Sequence, residues 1–327
     1  MVRAFFRAVM VETAVSPHDT ITLKIYYPAA PTGDEVERMT GVVAADVAQA
    51  PFPVVILMPG INVGPEAYHW LAVALAEKGL VVVTYIWVAE EMPGYISVTP
   101  GVDIDAVRPD NYGIKPTCPA LTPILAKLAT LHETDHTPLK GLLDLDKMIL
   151  GGHSAGGTMA LQSVHAEWFP QVKGAFTYGA HLMASTFLGY EAGTVLPMLG
   201  KRPLMLIGGN RDGVIEASTR RYGIDAGPTT ALERTFAESV TGGDNDSYLV
   251  ILEGANHFSL VHPIDETTGR PFLDHPTTQP DDQIRGEIVT LVSFFIDAHI
   301  RGNPRAKIGL KQQLSSGNPL IAKSRIK

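Results

Sequence analysis

Cysteine is nearly missing from this sequence: Cys118 is the only one among 327 residues. A lone thiol excludes an internal disulfide, and with it the stapled small-scaffold class, and it suits a reducing compartment. Charge is sparse too, at 18% of residues, and the balance is acidic, with a formal net charge of −8. A nucleic-acid binder favours a basic face, so this balance argues against that class of partner. No apolar run approaches the roughly 18 residues that a membrane-spanning helix needs. The opening run Phe5-Phe6-Arg7-Ala8-Val9-Met10-Val11 is broken by Arg7 and ended by Glu12. No small-residue cleavage site follows it, so it reads as a first strand rather than a signal peptide, and the expected location is cytoplasmic.

What the chain does contain is a hydrophobic content of 45% with 31 glycines and 24 prolines. That is the composition of a globular chain with a sizeable core and many turns. Strand-like runs at 5–13 and 20–27 flank Ser16-Pro17-His18-Asp19 and predict an antiparallel hairpin. Residues 28–52 lack periodicity and read as a connecting loop. Val54-Val55-Ile56-Leu57-Met58 and Leu80–Ile86 are continuous apolar runs, the mark of strands buried on both faces. A helix opened by Pro65 and closed by Gly79 lies between them, which makes a βαβ unit and a parallel sheet. Further strands are expected near 145–150, 172–178, 203–207 and 248–252, a polar helical region near 214–237, and helices over about 119–133 and 282–300. Segments 88–118 and 181–200 are irregular and are expected to cover a site. Residues 301–327 carry seven Lys or Arg and no acid, and read as a solvated or partly docked basic tail.

The chemistry centres on Met148–Gly157, where an apolar run ends in Gly152-His153-Ser154-Ala155-Gly156. Strand, glycine-flanked serine and small-residue helix start describe a sharp turn that lifts a hydroxyl above a sheet edge. A serine nucleophile needs a base to take its proton and an acid to orient that base. In a parallel sheet both must come from loops at the C-terminal ends of later strands. Leu206–Gly213 is a strand followed by a glycine-rich turn bearing Asp212, and Leu252–Phe258 leads from a strand into a small-residue loop bearing His257. The order Ser154, Asp212, His257 completes a triad. An oxyanion would be held by the backbone N–H of Ala155, at the positive end of the following helix, and by that of Ile61, after Pro59-Gly60.

These segments together, Val54–Gly60, the 80–86 strand, Gly-His-Ser-Ala-Gly-Gly, Gly-Asn-Arg-Asp-Gly and Gly-Ala-Asn-His-Phe, resemble the α/β-hydrolase superfamily over about residues 50–300. Within it they look like the group of chlorophyllases, platelet-activating-factor acetylhydrolase-like proteins, dienelactone hydrolase-like proteins and cutinase-type polyester hydrolases. The resemblance implies an α/β fold: a mostly parallel central sheet of about eight strands, helices on both faces, in one domain over 1–300. It implies a serine carboxylic ester hydrolase, without cofactor or metal, working through an acyl-enzyme. The substrate would be a relatively apolar small or polymeric ester, chlorophyllase-like or of the general carboxylesterase or polyester-hydrolase kind.

Other patterns compete. His132-Glu133-Thr134-Asp135-His136 matches the H-E-x-x-H zinc-peptidase pattern, but Pro138 should end the helix that such a site requires. Asp244-Asn245-Asp246 lacks the spacing of a calcium loop and reads as a surface turn. His262 is a rival base, farther from its strand than His257. Trp87, Tyr178, Phe187, Leu188 and Phe258 are candidates to line a pocket, with core packing an equal claim on each. A non-catalytic binding protein on the same fold is the remaining alternative.

Overall fold

The computed structural model describes residues 1–92, 94–134, 136–241, 244 and 246–327. The hairpin forms as expected, with β1 (Val2–Met10) antiparallel to β2 (Thr20–Pro28). A short helix α1 (Glu35–Thr40) interrupts the expected loop; the Asp34 carboxylate accepts from the Glu37 N–H at its start. The βαβ unit follows: β3 (Phe52–Met58), α2 (His69–Ala76) and β4 (Val81–Met92), with β3 and β4 parallel. Within the irregular 88–118 segment, β5 (Tyr95–Val98) folds back on β4. Then come α3 (Leu121–Glu133), β6 (Leu143–His153), α4 (Ala155–Gln162), β7 (Val172–Tyr178) and β8 (Leu204–Gly209). The chain continues through α5 (Gly213–Ser218), α6 (Thr230–Glu238), β9 (Ser247–Leu252), α7 (Asp281–His299), α8 (Pro304–Ser315) and β10 (Ile321–Ile326).

Among the described residues the strands form one ten-stranded sheet in the order β1-β2-β4-β3-β6-β7-β8-β9-β10, with β5 paired to β4 off that path. The run β4-β3-β6-β7-β8-β9 is parallel throughout. This is the α/β-hydrolase fold. Alternation along β3 explains the layering, because successive side chains leave a strand on opposite faces. Val54, Ile56 and Met58 join a core that includes Leu128 of α3 and Met159 of α4, whereas Val55 and Leu57 join one that includes Leu71 of α2 and Leu291 of α7. Both faces are therefore covered, which is why these strands are continuously apolar. Cys118 lies fully buried in the core, and burial pushes its thiol up to about 12. Among the described residues no helix is long and apolar enough to cross a membrane.

Residues 301–327, expected as a solvated or partly docked basic tail, are docked. Asn303 caps α8, whose Leu310 is fully buried against the α7 layer, and β10 pairs antiparallel with β9. The basic residues of β10 and the chain end have local partners: Lys323 and Arg325 reach Glu233, and the Lys327 ammonium donates to the carbonyls of Phe236, Ala237 and Val240 at the end of α6. A count of charges could not reveal that Ala306 and Leu310 share one face of a helix. Leu310→Ala should lower the free energy of unfolding by about 2–5 kcal/mol, measured by urea titration, because it removes a buried side chain from a filled core. A loss below ~0.5 kcal/mol would mean that α8 is only loosely docked.

Candidate active site

β4 lies on one side of β3 and β6 on the other, so the chain reverses its winding between β3 and β6. Loops at the C-terminal ends of two such strands part there and leave a crevice, the usual ligand position of an open parallel sheet. Ile61 follows β3 and Ser154 follows β6, so both stand at that crevice. Asp212 follows β8 and His257 follows β9 on the same edge. All five residues singled out from the sequence are brought to one end of the sheet.

Ser154 has φ 55° and ψ −123°, a conformation that L-residues rarely adopt. It costs on the order of 1–3 kcal/mol and persists because the surroundings fix it. Its N–H donates to the Tyr178 carbonyl at 2.9 Å, and its own carbonyl accepts from Thr158 at 3.0 Å. A Cβ at Gly156 would collide with the Met58 and Pro59 carbonyls, so glycine there lets α4 lie directly against the end of β3. Ala155 is the first residue of α4, and its N–H falls outside the helical ladder.

His257 Nδ1 lies 2.8 Å from Asp212 Oδ2, and both side chains are almost fully buried. A carboxylate only accepts, so Nδ1 carries the proton and Nε2 of the neutral ring is left with its lone pair. Asp212 Oδ1 accepts from Ile215 N–H at 2.7 Å, which caps α5 and fixes the carboxylate plane. Behind the pair, Gly179 has φ 60°, and a Cβ on it would lie 2.9 Å from His257 Nδ1. Nothing in the sequence pointed to Asp274. Its Oδ1 accepts from Gly213 N–H at 2.9 Å and its Oδ2 from Phe258 N–H at 3.0 Å. One carboxylate thus ties the residue after Asp212 to the residue after His257. Burial, and then the charge of Asp212, raises the Asp274 carboxyl above the usual range.

A second connection runs through His153, read from the sequence only as a locally packed neighbour of the serine. It is buried, its Nε2 lies 3.0 Å from the His257 carbonyl, and its Nδ1 lies 2.9 Å from the Tyr68 hydroxyl. A carbonyl cannot donate, so Nε2 carries the proton and Nδ1 accepts from Tyr68. The Tyr68 oxygen in turn accepts from Gly60 N–H at 2.9 Å. Burial, and then the neighbouring His257, holds His153 well below the usual histidine range, which keeps it neutral and keeps these directions fixed. The next residues of that loop are pinned as well. Asn62, at φ 58°, donates its N–H to the Val98 carbonyl at 2.8 Å, and its Oδ1 accepts from Val98 N–H at 3.1 Å.

The other candidates separate. α3 ends at Glu133 and His132 Nδ1 accepts from Leu143 N–H at 3.3 Å, so His132 and His136 do not share a helical face; Asp135 lies outside the described residues, as does Asn245. The His262 side chain is exposed, and its backbone N–H donates to the Ala67 carbonyl. Trp87 and Tyr178 are core residues, with Trp87 Nε1 donating to the His18 carbonyl and the Tyr178 hydroxyl to the Asn256 carbonyl. Phe258 is buried, Leu188 half-buried and Phe187 exposed. The two irregular segments hold each other: the Tyr112 hydroxyl donates to the Pro197 carbonyl, and that of Tyr190 to the Val107 carbonyl.

No family profile and no curated protein matches this sequence. Among solved structures, a ferulic acid esterase from Streptomyces cinnamoneus is similar, with a TM-score of 0.61 at 18% identity, over 98% of this chain and 96% of that one. The likeness fixes the architecture. Both chains are matched almost end to end, so β10 and the β1–β2 hairpin lie inside the shared frame.

His181, which follows β7, is buried with its Nδ1 accepting from Met183 N–H at 3.1 Å, and burial lowers it to about 4. A histidine whose folded value is depressed stabilises the fold above its unfolded value, and that stability is lost as pH falls through the folded value. Unfolding free energy should therefore fall between pH 6.5 and 4. His181→Asn should remove about 2 kcal/mol of the fall seen between roughly pH 7 and 4.5 in urea titrations. An equally steep fall in the variant would exclude His181 as a cause.

Proposed function

We propose that this protein is a metal-independent serine hydrolase that cleaves carboxylic esters through an acyl-enzyme. The observation that carries the reading is the buried His257–Asp212 bond of 2.8 Å on the same sheet edge as a serine held at φ 55°. Ser154 Oγ attacks the ester carbonyl while His257 Nε2 takes its proton, and Asp212 holds the resulting imidazolium. The Ala155 and Ile61 N–H groups receive the negative oxygen of the tetrahedral intermediate. His257 then gives its proton to the departing alkoxide, which leaves as the alcohol, and Ser154 remains acylated. Water, deprotonated by His257, attacks the acyl carbon. Collapse breaks the bond to Ser154 Oγ, which recovers the proton, and the acid leaves.

A ferulic acid esterase on the same architecture supports ester hydrolysis as chemistry that this fold can house. The expected substrate has a substantial apolar body, as chlorophyll-like, polyester-like and simple carboxylic esters all do.

A fluorophosphonate should label Ser154, and labelling should vanish in Ser154→Ala. That variant should lose roughly 10⁴–10⁶-fold in turnover of p-nitrophenyl esters while its circular dichroism is unchanged. Absence of labelling in the wild type would leave a binding protein instead, and loss of activity with a chelator would leave a metal enzyme. Asp274→Ala should lower kcat by about 10–100-fold and slow labelling in parallel, because it frees the loops that carry Asp212 and His257. Unchanged kcat would show that the two loops hold their places without it.

A further inference from the structure

Segment 268–270 lies against the oxyanion loop. Thr268 Oγ1 donates to the Asn62 carbonyl at 3.0 Å, and a Cβ on Gly269 would lie 3.9 Å from the Ile61 and Asn62 carbonyls and from the Phe258 ring. The next residue, Arg270, sends its guanidinium the other way, to Ser218 Oγ at 3.3 Å in the helix that Asp212 caps. Its side chain therefore runs from beside the loop bearing Ile61 to the helix that Asp212 caps.

An arginine in such a place is normally matched by an acid. Here Ser218 takes one of five N–H donors, and among the described residues no carboxylate pairs with the guanidinium. Of the charges around it, Arg221 acts most strongly, and it is of the same sign. Asp212 acts more weakly and is already committed to His257. Partial burial and the charge of Arg221 both disfavour the cation and lower Arg270 from its usual value. In a chain with 34 acids against 26 bases, a half-buried cation facing another cation is a local excess that an incoming anion would neutralise.

We propose that Arg270, with Arg221 close by, binds a carboxylate carried by the ester substrate, so that the preferred substrates are half-esters of dicarboxylic acids or hydroxy acids acylated on their hydroxyl group. The planar fork of a guanidinium matches a carboxylate through two parallel hydrogen bonds, which a neutral ester group cannot reproduce. Two exposed aromatics lie close to this pair along the chain: Phe272 follows Arg270 by two residues, and Phe187 follows Thr186, whose Oγ1 donates to the Arg221 carbonyl at 3.1 Å. This assignment rests on the hydrolase reading for the identity of the ester, but the anion site can be tested without turnover.

The test uses Ser154→Ala and the double variant carrying Arg270→Gln, titrated calorimetrically with monomethyl glutarate and with neutral dimethyl glutarate at low salt. Ser154→Ala should bind the monoester at least about tenfold more tightly than the diester, and Arg270→Gln should erase that ratio. Equal affinities, a ratio that survives Arg270→Gln, or no detectable binding of the monoester would overturn the proposal. In parallel, the ratio of kcat/KM for p-nitrophenyl hydrogen glutarate over p-nitrophenyl methyl glutarate should fall about 10–100-fold from wild type to Arg270→Gln and recover in part in Arg270→Lys. If wild type cleaves neither ester, the hydrolase reading fails, while the titration still decides whether Arg270 binds a carboxylate.

Discussion

One imidazole ring holds three loops in register. His153 donates to the backbone of His257, accepts from Tyr68, and through Tyr68 positions the N–H of Gly60, while its own backbone leads directly into the strained Ser154. The arrangement works only with a neutral ring in one tautomer, since a second proton on Nδ1 would set two donors against each other at Tyr68. Full burial enforces that state, because a charged imidazole in an apolar surround is costly. The position between Gly152 and Ser154, which a turn motif leaves free, is here the junction of the site.

Around this junction the candidate site is a wall rather than three side chains. Asn210 donates to Glu253 and accepts from Gly254, joining the loops after β8 and β9. Arg211 Nε and Asn256 Nδ2 reach the backbone of the 275–276 segment, and Asp274 closes the circuit from that segment to Gly213 and Phe258. Motif residues beside Asp212 and His257 thus act as fasteners. Strain at Ser154 and Asn62 can be stored because so many bonds oppose relaxation.

Much of this was legible in the sequence because each element carried a local signal with one physical meaning. Continuous apolar runs marked strands buried on both faces, and glycines that permit close approach marked the serine turn. Strand ends followed by Asp212 and His257 supplied the rest by topology. What stayed illegible depended on partners far along the chain. Asp274 sits in a stretch of Pro, Asp, His and Thr that looks like any polar loop, and its value comes from two N–H groups, 61 and 16 residues away. β10 reads as polar and basic because it covers an edge, where only part of each face is buried. The alternation of cores across β3 was visible only once both layers of helices were in place.

Cys118, with which the sequence stands almost alone in sulfur chemistry apart from its methionines, now has a practical meaning. It is sealed from solvent, its thiol donates to the Pro100 carbonyl at 3.5 Å, and its ionisation is displaced to about 12. A thiol held so far from ionisation reacts slowly with maleimides, disulfide reagents and peroxide, since the thiolate is the reactive form. The native protein is therefore slow to react with thiol-directed probes. A cysteine placed at the cleft rim would be the single addressable position, and a dye or spin label attached there would report on the cleft alone.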